Sequence, residues 1–201
     1  MAVNIIATRL YLRVVTQNNM NNTKVIAVSG MSGAGKTTIV KQLANMFNCP
    51  FLLFDDHKDK NTYPQNMKTW LNKGADVSLI KTPAFIKTLN ILQSQTNTRF
   101  IFIEEPFGRE RFSISHLIDY VILLDQPLEL CLARIIRRQI QHPSINSINS
   151  ISNYLNKYED HFREIYISTV NQVRGNCDLI IQETLSIGIT SNHIRNWLKA
   201  I

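Results

Sequence analysis

Two periodicities take turns along the chain. Apolar runs rich in β-branched and aromatic residues occupy 24–29, 51–54, 99–103, 120–124 and 178–182. They have strand length, and their unbroken apolar character predicts a sheet covered on both faces. Between them, apolar residues recur every three or four positions over 36–47, 64–73, 83–93, 128–141, 151–170 and 191–200. Those segments predict helices. Strands alternating with helices give an α/β architecture, a parallel sheet flanked by helices on both sides. The biased stretch SINSINSIS, 144–152, follows His142-Pro143 and reads as a flexible loop tip.

Length and composition narrow this picture without changing it. The 201 residues fit one domain, and a hydrophobic fraction of 44% supplies a sizeable core. No apolar run reaches the roughly 20 residues of a membrane helix. The first nineteen residues, before Met20, lack the apolar centre and cleavage site of a signal peptide. They are expected to be an extension, with the folded domain spanning 20–201. The net charge of +7 comes from scattered Lys and Arg, so a nucleic-acid partner is not expected. Cys49, Cys131 and Cys177 have no paired spacing, which argues against a zinc site or disulfide framework and for a reducing cytoplasm.

The chemistry is concentrated after the first strand. Gly30-Met31-Ser32-Gly33-Ala34-Gly35-Lys36-Thr37 matches G-x-x-x-x-G-K-[ST] at every fixed position. Glycines let successive backbone N–H groups curl around a phosphate, and the helix that follows adds its positive end. Ser32, Ala34 and Thr38 complete the cradle, Lys36 reaches the outer phosphates, and the Thr37 hydroxyl holds Mg²⁺. The nucleotide is therefore expected to be bound as its magnesium complex.

Acidic and basic groups follow where strands end. The second strand closes on Asp55-Asp56, at the sheet edge that faces ligands in parallel α/β folds. A carboxylate there can take a proton from an attacking hydroxyl. Asp55 is the first candidate and Asp56 the second. The third strand ends in Glu104-Glu105, and alternation sends their side chains opposite ways. Glu104 is taken as the metal-facing residue and Glu105 as structural. On the helix after the fourth strand, Arg134, Arg137 and Arg138 are spaced to share a face. A basic stripe there, with the segment to about 152, is expected to close as a lid and neutralise charge on the transferred group. Arg109 and Arg111 are candidates for an anionic substrate or the phosphates. Tyr63 is a candidate for stacking on a substrate ring, whereas Trp70, Tyr154, Tyr158 and Phe162 read first as packing.

The loop GMSGAGKTT, the paired aspartates and PLELCLARIIRR together resemble the uridine kinase-like nucleoside kinases of the P-loop superfamily. The resemblance runs in element order from Lys24 to the C-terminus. It implies a three-layer P-loop NTPase fold with a five-stranded parallel sheet and a helical lid, ATP and Mg²⁺ as cofactors, and phosphoryl transfer to a hydroxyl. It implies Lys36 and Thr37 at phosphate and metal, Asp55 or Asp56 as base, and Arg137 or Arg138 acting from the lid. The insert HKDKNTYPQNMKTWLNKGADVSLIKTP departs from that family and is closer to kinase-like ATPases. The expected activity is thus transfer of the γ-phosphate of ATP to a small-molecule hydroxyl, such as that of a nucleoside. A nucleoside monophosphate kinase, with Arg109 and Arg111 on the acceptor's phosphate, and a nucleotide-binding switch ATPase are the alternatives. The motifs say nothing of oligomeric state.

Overall fold

The computed structural model describes residues 23–141 and 147–201. The expected extension at 1–19 lies outside the described residues, as does 142–146 within the expected lid. In chain order the elements are β1 (Lys24–Ser29), α1 (Lys36–Phe47), β2 (Phe51–Leu52), α2 (Met67–Asn72), α3 (Pro83–Gln95), β3 (Phe100–Glu104), α4 (Phe112–Ser115), β4 (Tyr120–Leu124), α5 (Leu128–Gln141), α6 (Ser147–Lys157), α7 (Arg163–Arg174), β5 (Leu179–Ile181) and α8 (Ile187–Ala200). The strands form one parallel sheet in the order β2-β3-β1-β4-β5. Among the described residues no helix is long and apolar enough to cross a membrane.

Strand alternation splits the core in two. Val25, Ala27, Ile101, Ile103, Val121 and Leu123 face one side, where Phe54, Trp70, Phe85, Leu89 and Val173 cover them. Ile26, Val28, Phe100, Phe102, Ile122 and Leu124 face the other, against Ile39 and Leu43 of α1 and Ile194 and Leu198 of α8. Both faces are dry, which is why the strands carry no polar alternation. The register sets Val28 beside Glu104 and Ser29 beside Leu123, so β1, β3 and β4 end level with one another. β1 lies between β3 and β4, and the chain leaves it to build one half of the sheet and then the other. The crevice at that switch point is where such sheets bind ligands.

Three expectations are corrected. The strand expected over 51–54 stops at Leu52, because only Phe51 and Leu52 pair with β3. A 3₁₀ turn at Phe54–His57 then drops the Phe54 ring onto Tyr63, Phe85 and Phe107. The expected loop tip is helical from Ser147, because Ile151, Tyr154, Leu155 and Tyr158 place their less exposed side chains at helical spacing. A π-turn at Tyr158–Phe162 carries this helix into α7. Finally α8 begins at Ile187, not 191, where the Ser186 hydroxyl accepts from the Ile189 N–H at 3.4 Å.

Candidate active site

The turn between β1 and α1 is held in a shape that only glycine allows. Gly30 has φ +131° and Gly33 φ +83°. A Cβ at Gly30 would stand 2.6 Å from the Leu124 carbonyl oxygen, and one at Gly33 only 2.4 Å from that of Cys131. The loop therefore seats directly on the end of β4 and the first turn of α5. The helix dipole of α1 and its free N–H groups open into a cavity of about 840 Å³ at the carboxyl edge of the sheet.

Lys36 is 7% exposed, and its Nζ donates to the Met31 carbonyl at 3.0 Å. Burial holds its ammonium below the ordinary lysine range, against the upward pull of Glu104 and Asp55. The Glu104 carboxylate lies 3.6 Å from Lys36 Nζ and accepts the Thr37 hydroxyl at 2.7 Å. Glu104 stands on the α1 side of the sheet because it continues the alternation of Phe100 and Phe102. A hydroxyl and a carboxylate converging at the mouth of a phosphate loop are hard oxygen donors of the kind Mg²⁺ takes, alongside phosphate oxygens and water. This donor set fits the expected metal.

Asp55 also lines the cavity, near enough to Lys36 to pull its ammonium upward, and its Oδ1 is paired with Lys58 Nζ at 2.8 Å. Asp56, one step on in the 3₁₀ turn, is exposed and does not line it. The face of α5 divides the arginines in the same way. Arg134 donates to the Gly33 carbonyl at 3.3 Å and lines the cavity with Arg138, its neighbour one turn on. Arg137 is exposed outside the cavity, which corrects its placement with the other two.

Arg109 and Arg111, expected at an anionic substrate, are structural. Arg111 is fully buried; its guanidinium meets both Glu105 oxygens, at 3.0 and 2.5 Å, and donates to the Ile80 carbonyl and Thr82 hydroxyl. Burial pushes the Glu105 carboxyl up, and the Arg111 guanidinium pulls it back. Arg109 lies at the opposite end of β4. It donates to the carbonyls of Ile118, Asp119 and Asn176 and pairs with Asp178 at 2.8 Å. Neither lines the cavity.

Much of the remaining lining is aromatic and apolar. It is built from Tyr63, Met67, Trp70, Phe107, Phe162 and Tyr166, with Ile80, Ile165 and Thr169 between them. Trp70 is 4% exposed, and its indole N–H donates to the Asp76 carbonyl at 2.8 Å, so it is core and wall at once. Burial, with Asp55 and Glu105 adding, raises the Tyr63 phenol. Burial likewise raises that of Tyr166, whose hydroxyl meets Tyr154's at 3.1 Å. Both phenols therefore stay neutral at any physiological pH. Cys131 stands behind the loop with its thiol pushed up to about 11 by burial, against the pull of Arg134 and Lys36, so it is no nucleophile.

Sequence reasoning missed the Phe162, Ile165, Tyr166 and Thr169 wall, the Leu185–Ile187 corner beside Gly35, and Lys58. The π-turn shifts the helical phase by one residue, and no pattern in the sequence announces that. Lys58 had a signal: it lies three residues after Asp55, on the same turn.

No family profile matches the chain, and no curated protein matches it. Solved structures do. Deoxyadenosine kinase from M. mycoides, solved with the products dCMP and a flexible dCDP bound, superposes with a TM-score of 0.50 at 16% identity. The match covers 88% of this chain and 100% of that one. TT1252 from Thermus thermophilus gives 0.50 at 18% identity, covering 89% of this chain and 98% of that one. The chain shares the fold of the deoxyadenosine kinase. Its five-stranded parallel sheet and flanking helices are the three-layer α/β architecture expected from the strand and helix pattern.

Proposed function

We propose that the protein is an ATP-dependent small-molecule kinase that phosphorylates a hydroxyl of an uncharged acceptor, such as a nucleoside. The observation that carries this reading is that Asp55 and the phosphate loop line one cavity, much of whose remaining lining is aromatic or apolar. A kinase needs that combination: a phosphate cradle, a carboxylate in the same cavity, and a hydrophobic chamber to hold an acceptor and shed water. The fold shared with a deoxyadenosine kinase supports it.

In the reaction, the loop amides and Lys36 hold the β- and γ-phosphates of ATP. Mg²⁺ held by Thr37 and Glu104 would supply the charge neutralisation those phosphates need. Asp55 accepts the proton of the acceptor hydroxyl as its oxygen bonds to the γ-phosphorus, and the bond from that phosphorus to the bridging oxygen breaks, releasing ADP. Arg134 and Arg138 face the same space and stabilise charge on the moving phosphoryl group. The monophosphate-kinase alternative places Arg109 and Arg111 on the acceptor's phosphate, and both are committed elsewhere. The switch-ATPase alternative leaves the aromatic chamber without a purpose.

A screen of ATP consumption against nucleosides, nucleoside monophosphates and vitamin precursors tests the reading, with Lys36→Ala as blank. An uncharged acceptor should stimulate turnover, and Asp55→Asn should lower kcat by about 100-fold or more with little change in the KM for ATP. Turnover indifferent to every acceptor, or untouched by Asp55→Asn, would overturn it.

A further inference from the structure

Four cations line the cavity among the described residues: Lys36, Lys58, Arg134 and Arg138. Lys36 belongs to the phosphate loop and the arginines to α5. Lys58 alone among them comes from the turn that carries Asp55. Among the described residues its ion-pair partner is that carboxylate, at 2.8 Å, and the two side chains are 36% and 63% exposed. An exposed pair three residues apart contributes little to stability, so the fold does not depend on it. A flexible ammonium held this loosely exchanges readily for a denser anion.

We propose that Lys58 is a catalytic residue: it leaves Asp55 and binds the phosphoryl group in flight on the side of the base that receives the acceptor's proton. This rests on the kinase reading above and assigns it a further participant. The exchange has a chemical logic. Before transfer Lys58 neutralises Asp55. As the acceptor hydroxyl arrives and gives its proton to that carboxylate, the negative charge moves from Asp55 to the phosphoryl oxygens, and the ammonium follows it. The γ-phosphoryl group thus travels between two lysines, one at its origin and one at its destination, with Arg134 and Arg138 at its flank. The compact point charge of a lysine suits a moving target better than a fixed guanidinium fork.

Binding measurements test this without knowing the acceptor. Isothermal titration with MgADP, and with MgADP plus aluminium fluoride as a mimic of the phosphoryl in flight, is run on wild type, Lys58→Met and Lys58→Arg. Wild type should bind the fluoride complex more tightly than ADP alone. Lys58→Met should weaken the fluoride complex by about tenfold or more while ADP affinity stays within about twofold, and Lys58→Arg should recover most of the loss. Equal losses for both ligands, no loss at all, or no tightening by aluminium fluoride in wild type would overturn the proposal. The parent reading fails differently, in an ADP affinity that Lys36→Ala leaves unchanged.

Discussion

Lys36 shows how far the fold goes to keep a charge where water cannot reach it. Its ammonium has one carbonyl at 3.0 Å and one carboxylate at 3.6 Å, and burial works against it. A lysine depressed in the folded state destabilises that state wherever the unfolded chain would hold the proton, and the cost fades as pH rises toward 10.5. Lys36→Met removes that cost but leaves the buried Glu104 carboxylate with the Thr37 hydroxyl in place of the ammonium. The melting temperature near neutral pH should therefore change little, while ATP binding is lost. Bound phosphates raise the same ammonium, so ATP binding should take up protons at those pH values below 10.5 where the free protein has begun to lose that proton. Titration calorimetry in buffers of different ionisation enthalpy reads this directly, and Lys36→Met should abolish it. The sequence made the position of Lys36 plain. It did not show the fate of Arg109 and Arg111, because a guanidinium serving substrate and one serving the core look alike until their partners are known.

At the scale of elements, the Glu105–Arg111 pair ties the end of β3 to the segment before α3. Arg111 reaches Ile80 and Thr82 there, and its guanidinium lies over the Phe54 ring with 5.3 Å to the centroid. The pair thus braces the turn that carries Asp55 from beneath. Removing one partner strands the other charge in the core. Arg111→Met should cost about 3–5 kcal/mol in urea unfolding, while Lys58→Met, on the exposed side of the same turn, should cost less than about 1 kcal/mol. A loss under about 1 kcal/mol for Arg111→Met would remove it as a brace. Elements with a clear period were legible from sequence, among them α1, α5 and the centre of the sheet. β2 was overdrawn because Phe54, apolar like a strand residue, is buried by a turn instead. The helix at 147–157 was started late, at 151, because Ser and Asn mask the apolar spacing in its first turn.

For the whole molecule, the sheet order sets the phosphate loop at the centre and brings both halves of the chain to one cavity. Nucleotide should therefore stabilise the domain as a unit. At 100 times its dissociation constant a ligand adds about 2.7 kcal/mol, which for a chain of this size corresponds to a rise of roughly 5–10 °C in melting temperature. Magnesium with ATP should produce it, and Lys36→Ala should erase it. A shift that persists in that variant would place the nucleotide elsewhere. The α/β class and parallel sheet followed from the alternation of periods alone. The aromatic chamber did not, since its wall is drawn from segments as far apart as Tyr63 and Thr169 and exists only after folding.

The seat of Gly33 on the backbone of Cys131 has a mechanical corollary. The root of α5 cannot lift without prising the phosphate loop off its support, and Arg134 fastens it there a second time. Whatever swing the basic helix makes over bound nucleotide is that of a cantilever, with its travel at the Gln141 end and its clamp at the loop.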